Sequence, residues 1–112
     1  MQAEFKQKEQ IGIVALTGEL NAVSVDELRN QFKSWFQANP GLQNVVMDLA
    51  DVTMIDSAGL GVLIALLKLV GERGGDLRLA GLQKRVRLVF EITRTHRIFE
   101  IFDTAEEAVA AA

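Results

Sequence analysis

The chain contains no cysteine, which excludes a disulfide framework and a thiolate metal site. Its one histidine, His96, and its scattered carboxylates give no metal-ligand spacing. There is no tyrosine, and Pro40 is the only proline, so element boundaries must come mostly from glycine and polar turns. The longest uncharged apolar stretch, Ser57 to Leu67, ends at Lys68. A membrane span needs about 20 residues, so no membrane association is expected. The start, Met1-Gln2-Ala3-Glu4-Phe5-Lys6, lacks a basic segment leading into an apolar run, so a signal peptide is not expected and the cytoplasm is the expected location. The net charge of −3 offers no basic field for nucleic acid. The densest basic region, Lys84-Arg85-Val86-Arg87 with Arg94 and Arg97, reads as the solvated face of a helix rather than as a dock for an acidic partner.

What is present fits one globular domain over residues 1–112, with 49% hydrophobic and 24% charged residues and six Phe and one Trp for the core. Phe5 to Gln10 and Ile11 to Thr17 read as two strands around a tight polar turn, after which Gly18-Glu19-Leu20-Asn21 should leave the sheet. Ser24-Val25-Asp26-Glu27 has the form of a capping box. The helix after it carries Val25, Leu28, Phe32, Trp35 and Phe36 on one stripe, and Pro40-Gly41 ends it. Asn44 to Leu49 reads as a buried strand of the parallel kind. A long helix is expected from about residue 58 to Val70. Asp76 to Ala80 should be a strand with period-two alternation, Gln83 to Glu91 a helix with Val86, Val89 and Phe90 inward, and Ile98 to Phe102 a last strand. Asp103 or Thr104 can cap a final helix. The alternation of strands and helices after residue 20 predicts an α/β fold with a mixed sheet, antiparallel at its start and parallel later.

The 58–70 helix is apolar nearly all round. Leu60, Leu63, Ile64, Leu67 and Val70 form one stripe, and Val62, Leu66 and Leu69 another. Either neighbouring helices cover the second stripe, or part of it is a binding surface.

Ser57 stands between a strand-like run and the first turn of this helix, with Gly59 and Gly61 just behind it. Small residues there keep the hydroxyl accessible. A helix start presents free N–H groups and the positive end of the dipole, so a phosphate on Ser57 would be tolerated. Beside Asp56 it would concentrate negative charge and veto docking. On spacing alone, an ordinary N-cap is the favoured reading of Ser57.

Met54-Ile55-Asp56-Ser57-Ala58-Gly59-Leu60-Gly61 resembles, without a gap, the signature of STAS domains of the bacterial anti-sigma factor antagonist kind. Thr17-Gly18-Glu19-Leu20 is similar to the family's Gly-Glu-Leu turn, and Val45-Val46-Met47-Asp48-Leu49 to the strand before its phosphoacceptor loop. The resemblance covers nearly the whole chain. It implies a mixed sheet of four or five strands with about four helices, mainly on one side. It also implies a non-enzymatic switch without a cofactor, and a monomer is the default expectation. The unphosphorylated form binds an anti-sigma factor and frees the sigma factor. The anti-sigma factor, itself a serine kinase that supplies ATP, phosphorylates the serine matching Ser57 and the complex parts. A PP2C-type phosphatase resets it. The surface implied for partner binding is Asp56, Ser57, Ala58, Gly59 and Gly61, with Asn21 and Ser24 nearby and Leu60 turned to the core. The chain departs from the family at Asn21, where Asp is frequent, and at Val23-Ser24 in place of Thr-Ala.

Two other readings are open. A non-switching STAS module, a scaffold or a transporter's accessory subunit, would have the same fold with Ser57 as a mere cap. A small serine esterase would use Ser57 with His96 as base. The glycine expected two residues before such a nucleophile is absent, since Ile55 and Asp56 stand there.

Overall fold

The two strands that open the chain, β1 (Gln2–Lys8) and β2 (Ile11–Leu20), pair antiparallel across Glu9-Gln10. The coordinates are a computed structural model that describes all 112 residues, Met1–Ala112. α1 (Val25–Ala38), β3 (Asn44–Ile55), α2 (Ser57–Glu72), β4 (Leu77–Ala80), α3 (Lys84–Ile92), β5 (Glu100–Phe102) and α4 (Ala105–Ala110) follow, with a 3-10 turn at Thr95–Arg97. The five strands lie in sequence order, β1-β2-β3-β4-β5, and every pair after the first is parallel. This is the α/β fold with a mixed sheet that the pattern implies.

Three helices cover one face. Leu28, Phe32 and Phe36 of α1, Val62, Leu63 and Leu66 of α2, and Val86 and Phe90 of α3 meet Val14, Leu16, Val45, Met47, Leu49, Leu77 and Leu79 of the sheet in one core. α4 alone covers the other face, where Ala108 packs with Val46 and Ala80. Trp35 of the α1 stripe is only partly buried. Its indole lies on Gly12 of β2, where a Cβ would come 2.3 Å from the ring, and its centroid is 5.0 Å from that of Phe5. Gly12 therefore gives this face of β2 room for the aromatic.

Several local expectations change. β2 does not end at Thr17: Gly18, Glu19 and Leu20 stay in the sheet beside Val52, Met54 and Ile55. Register shifts on either side of Thr17–Gly18 absorb the irregular backbone, and Gly18 has φ +106°. β3 accordingly runs to Ile55 and carries the chain straight to α2. β4 alternates between the two faces and is buried on both, with Leu77 and Leu79 toward the three-helix core and Arg78 and Ala80 toward α4. Arg78 lies there 3.5 Å from Asp76 and 3.8 Å from Glu100. β5 begins only at Glu100, since the 3-10 turn takes up the preceding residues.

The second apolar stripe of α2 is covered, not open: Val62 and Leu66 are fully buried, and Leu69 is partly buried against the same core. What α2 leaves to solvent is a third stripe, Ser57, Gly61, Ala65, Lys68 and Glu72.

Candidate functional site

The end of β3 and the start of α2 carry the site. Asp56, extended at φ −114° and ψ −173°, is the N-cap of α2, and its Oδ1 accepts from the N–H of Gly59 at 2.9 Å. Ser57 is thus the first residue inside the helix and not its cap. Its hydroxyl makes no hydrogen bond within the chain, and the residue is exposed. Helical geometry leaves the N–H groups of Ser57 and Ala58 without an intrahelical acceptor. The other oxygen of Asp56, Oδ2, accepts from the N–H of Ala22 at 3.2 Å, while the Asp56 N–H donates to the Leu20 carbonyl at 3.3 Å. One aspartate therefore holds the β2–α1 loop against the α2 N-terminus.

That loop is ordered by its own side chains. The Oδ1 of Asn21 accepts from the N–H groups of Val23 and Ser24 at 3.0 and 3.3 Å. Ser24 does not form the expected capping box. It already has helical dihedrals, φ −99° and ψ −14°, so its hydroxyl turns back, donating to the Glu19 carbonyl and accepting from the Asn21 N–H, each at 3.0 Å. Glu27 does not return to it either, and accepts from Gln31 instead.

Of the residues implied for the site, Ser57 and Gly61 are exposed and lie one turn apart on the outer stripe of α2, while Asn21, Asp56 and Ala58 are half-buried around them. Ser24 and Gly59 are buried and lie beneath the surface. Gly59 is there for close approach: a Cβ would stand 2.4 Å from the Leu20 carbonyl oxygen and 2.7 Å from Ile55 Cγ1. Nothing lies within 4 Å of a Cβ built on Gly61. Leu60 is turned to the core as expected. Two exposed apolar residues lie in the segments that flank the site, Val23 at 91% exposure in the β2–α1 loop and Met54, half-exposed, which opens the motif near the end of β3. The signal for Val23 was in the sequence, because it precedes the α1 stripe without joining it.

A family model described as the STAS domain matches residues 2–108. The chain belongs to the STAS domain family. This STAS domain is 32% identical to the anti-sigma-B factor antagonist of Bacillus subtilis over 106 residues, 95% of this chain and 94% of that one. A crystal structure of a candidate anti-sigma factor antagonist from Thermotoga maritima superposes with a TM-score of 0.89 at 28% identity, covering 97% of this chain and 92% of that one. The phosphorylated form of SpoIIAA, a Bacillus cell fate determinant, has the same fold, with a TM-score of 0.74 at 17% identity, covering 98% of either chain.

His96, the base an esterase would need, is exposed in the 3-10 turn, where its Nδ1 lies 3.3 Å from the Phe90 carbonyl oxygen and makes no hydrogen bond to Ser57. No group of His, Asp and Glu side chains is arranged to hold a metal ion, and no helix is long and apolar enough to cross a membrane.

Proposed function

We propose that this STAS domain is an anti-sigma factor antagonist, acting as one unit over residues 1–112, whose docking is switched by phosphate on Ser57. The observation that carries the reading is the free Ser57 hydroxyl: exposed, unbonded, and at the first position of a helix whose cap is the neighbouring aspartate. Because that hydroxyl supports nothing inside the fold, esterifying it breaks no internal bond. The positive end of the helix dipole offsets part of the added charge.

The unmodified surface is low and nearly uncharged apart from Asp56. Ser57, Ala58 and Gly61 let a partner's backbone approach closely, Val23 and Met54 give it apolar anchors, and Asn21 borders them. An anti-sigma factor docked there releases its sigma factor. In the same complex its kinase activity transfers the γ-phosphoryl group of ATP to the Ser57 oxygen. The bond to ADP breaks, and the hydroxyl proton passes to a base of the kinase. The product carries about 1.5 to 2 negative charges next to the Asp56 carboxylate. Desolvating that pair of anions against the same partner is costly unless cations are supplied, so the complex dissociates. A PP2C-type phosphatase hydrolyses the ester with water and restores the docking form. ATP belongs to the kinase, and the chain itself acts in the cytoplasm as a monomer without a cofactor.

The test is incubation with an anti-sigma factor kinase of the same cell and ATP, with the site read by mass spectrometry. A single phosphate on Ser57, absent in Ser57→Ala although that variant still binds, is the expected result. Phosphate on another residue, or none in a complex that forms, contradicts the reading.

A further inference from the structure

Ordinary helices of this fold hide apolar residues and expose polar ones, and α3 departs from that on its outer side. Val86 and Phe90 face the core, yet Leu88 and Ile92, one turn apart on the opposite face, are 55% and 72% exposed. Ile98, just past the 3-10 turn, is 50% exposed. The turn is tied to the end of α3, for the Thr95 hydroxyl donates to the Phe90 carbonyl at 3.4 Å. A shallow groove runs along Lys84, Arg85, Arg87, Leu88 and Glu91.

Charge singles out the same segment. Lys84, Arg85, Arg87, Arg94 and Arg97 are five of the chain's twelve Lys and Arg, with Glu91 the one acid among them. The whole chain carries −3 and this segment +4, so the rest of the chain has a net charge of −7. Only Arg87 has an ion-pair partner, Asp103 at 3.9 Å, which leaves Lys84, Arg85, Arg94 and Arg97 unpaired. Arg94 also occupies the left-handed region, at φ 60°, in the position after α3 that glycine usually takes. An arginine is thus kept where the backbone favours another residue.

We propose that the outer face of α3 is a second docking surface, distinct from the Ser57 surface, for an acidic segment of a partner protein that brings an apolar pair between its carboxylates. An apolar centre with a charged rim is the anatomy of a protein interface. Duplex nucleic acid offers phosphates but nothing for Leu88 and Ile92. An anionic bilayer would attract the five cations but repel the acidic remainder of the chain, and it would have to take in Glu91 between the two apolar side chains.

The two surfaces work independently. The side-chain amide of Gln83, just before α3, donates to the Ala50 carbonyl at 2.8 Å, five residues short of the end of β3. At about 3.3 Å per residue, the start of α3 lies about 17 Å back along the strand from its end, where the chain enters α2. α3 then runs back, as a crossover between parallel strands must. Phosphate on Ser57 is therefore beyond the Debye length of about 8 Å at physiological salt, and the α3 face stays available in both states.

The probe is a labelled synthetic helix of Glu, Ala and Leu with two Leu four residues apart, titrated into the isotope-labelled full chain. Saturable amide shifts centred on residues 84–98 are expected, equal in wild type and Ser57→Asp and weakened by salt. Leu88→Glu and Ile92→Glu, both at exposed positions, should each weaken binding about tenfold with an unchanged circular dichroism spectrum. The analogue with Lys for Glu should not bind. Four results overturn the proposal: no shifts in α3, equal binding of the Lys analogue, the same shifts at lower concentration with phosphatidylglycerol vesicles or duplex DNA, or mass growth with concentration that Leu88→Glu abolishes, which assigns the face to a second copy. Loss of the Ser57 switch with the peptide data intact would leave this surface standing.

Discussion

The carboxylate of Asp56 accepts from the backbone N–H of Ala22 at 3.2 Å, although 34 residues separate the two. Because its other oxygen caps α2 through Gly59, one side chain joins the two loops that carry the proposed docking surface. Asp56→Ala should lose the cap and the loop tie together. A destabilisation of about 1–2 kcal/mol is expected in urea unfolding, with faster hydrogen exchange at Ala22 and Gly59. Unchanged exchange at Ala22 would show that the tie is not made in solution.

Gly59 and Gly61 separate fold from binding. At Gly59 a methyl would collide with the Leu20 carbonyl, a backbone atom that cannot turn aside, so Gly59→Ala should lower the melting temperature and weaken partner binding together. At Gly61 a methyl meets nothing, and alanine gains up to about 1 kcal/mol of helix propensity. Gly61→Ala should therefore melt higher and yet bind the anti-sigma factor more weakly, because the methyl stands on the outer stripe with Ser57. A variant that gains stability and keeps full affinity would remove Gly61 from the docking surface.

How far the sequence carries depends on the range of the forces involved. The α1 stripe, the order of strands and helices and the placement of Ser57 at a helix start were legible because periodicity and local capping chemistry are written within a few residues of each other. Ser24 departs from its local pattern for the same reason: a serine three residues before a glutamate has capping form, but the competing acceptor, the Glu19 carbonyl, lies in β2 and is brought close only by the tertiary turn. The continuation of β2 to Leu20 depends likewise on Ile55 beside it, which no local pattern states. The double stripe of α2 could be resolved only once α1 and α3 were packed on the sheet.

Arg73 shows a second such case. Its Nη1 donates to the carbonyls of Asn39 and Leu42 and its Nη2 to that of Phe36, each at 3.0 Å, while the guanidinium lies 3.5 Å over the Phe36 ring. One side chain at the end of α2 thus satisfies the open end of α1. Arg73→Ala should cost about 2–3 kcal/mol in chemical denaturation. Arg73→Lys should recover little of it, because an ammonium cannot span three carbonyls from one plane. Equal stability of the lysine variant and wild type would mean that charge alone suffices there.

Asn21 accepts two backbone hydrogen bonds through its Oδ1, and a carboxylate can accept both. Asn21→Asp, which restores the residue frequent in the family, should leave stability within about 0.5 kcal/mol of wild type. It should shift the affinity for a given anti-sigma factor through its charge at the rim, an effect that fades as salt rises. A salt-independent change would point to altered loop geometry instead.

The most direct test is calorimetric titration of the anti-sigma factor with the unmodified chain and with the chain phosphorylated at Ser57, alongside a melting curve for each. Affinity lower by about 100-fold or more, roughly 2.7 kcal/mol, with superimposable melting curves is the expected result. Equal affinity, or a loss that coincides with a collapse in melting temperature, would contradict a switch that acts through surface charge on an unchanged fold.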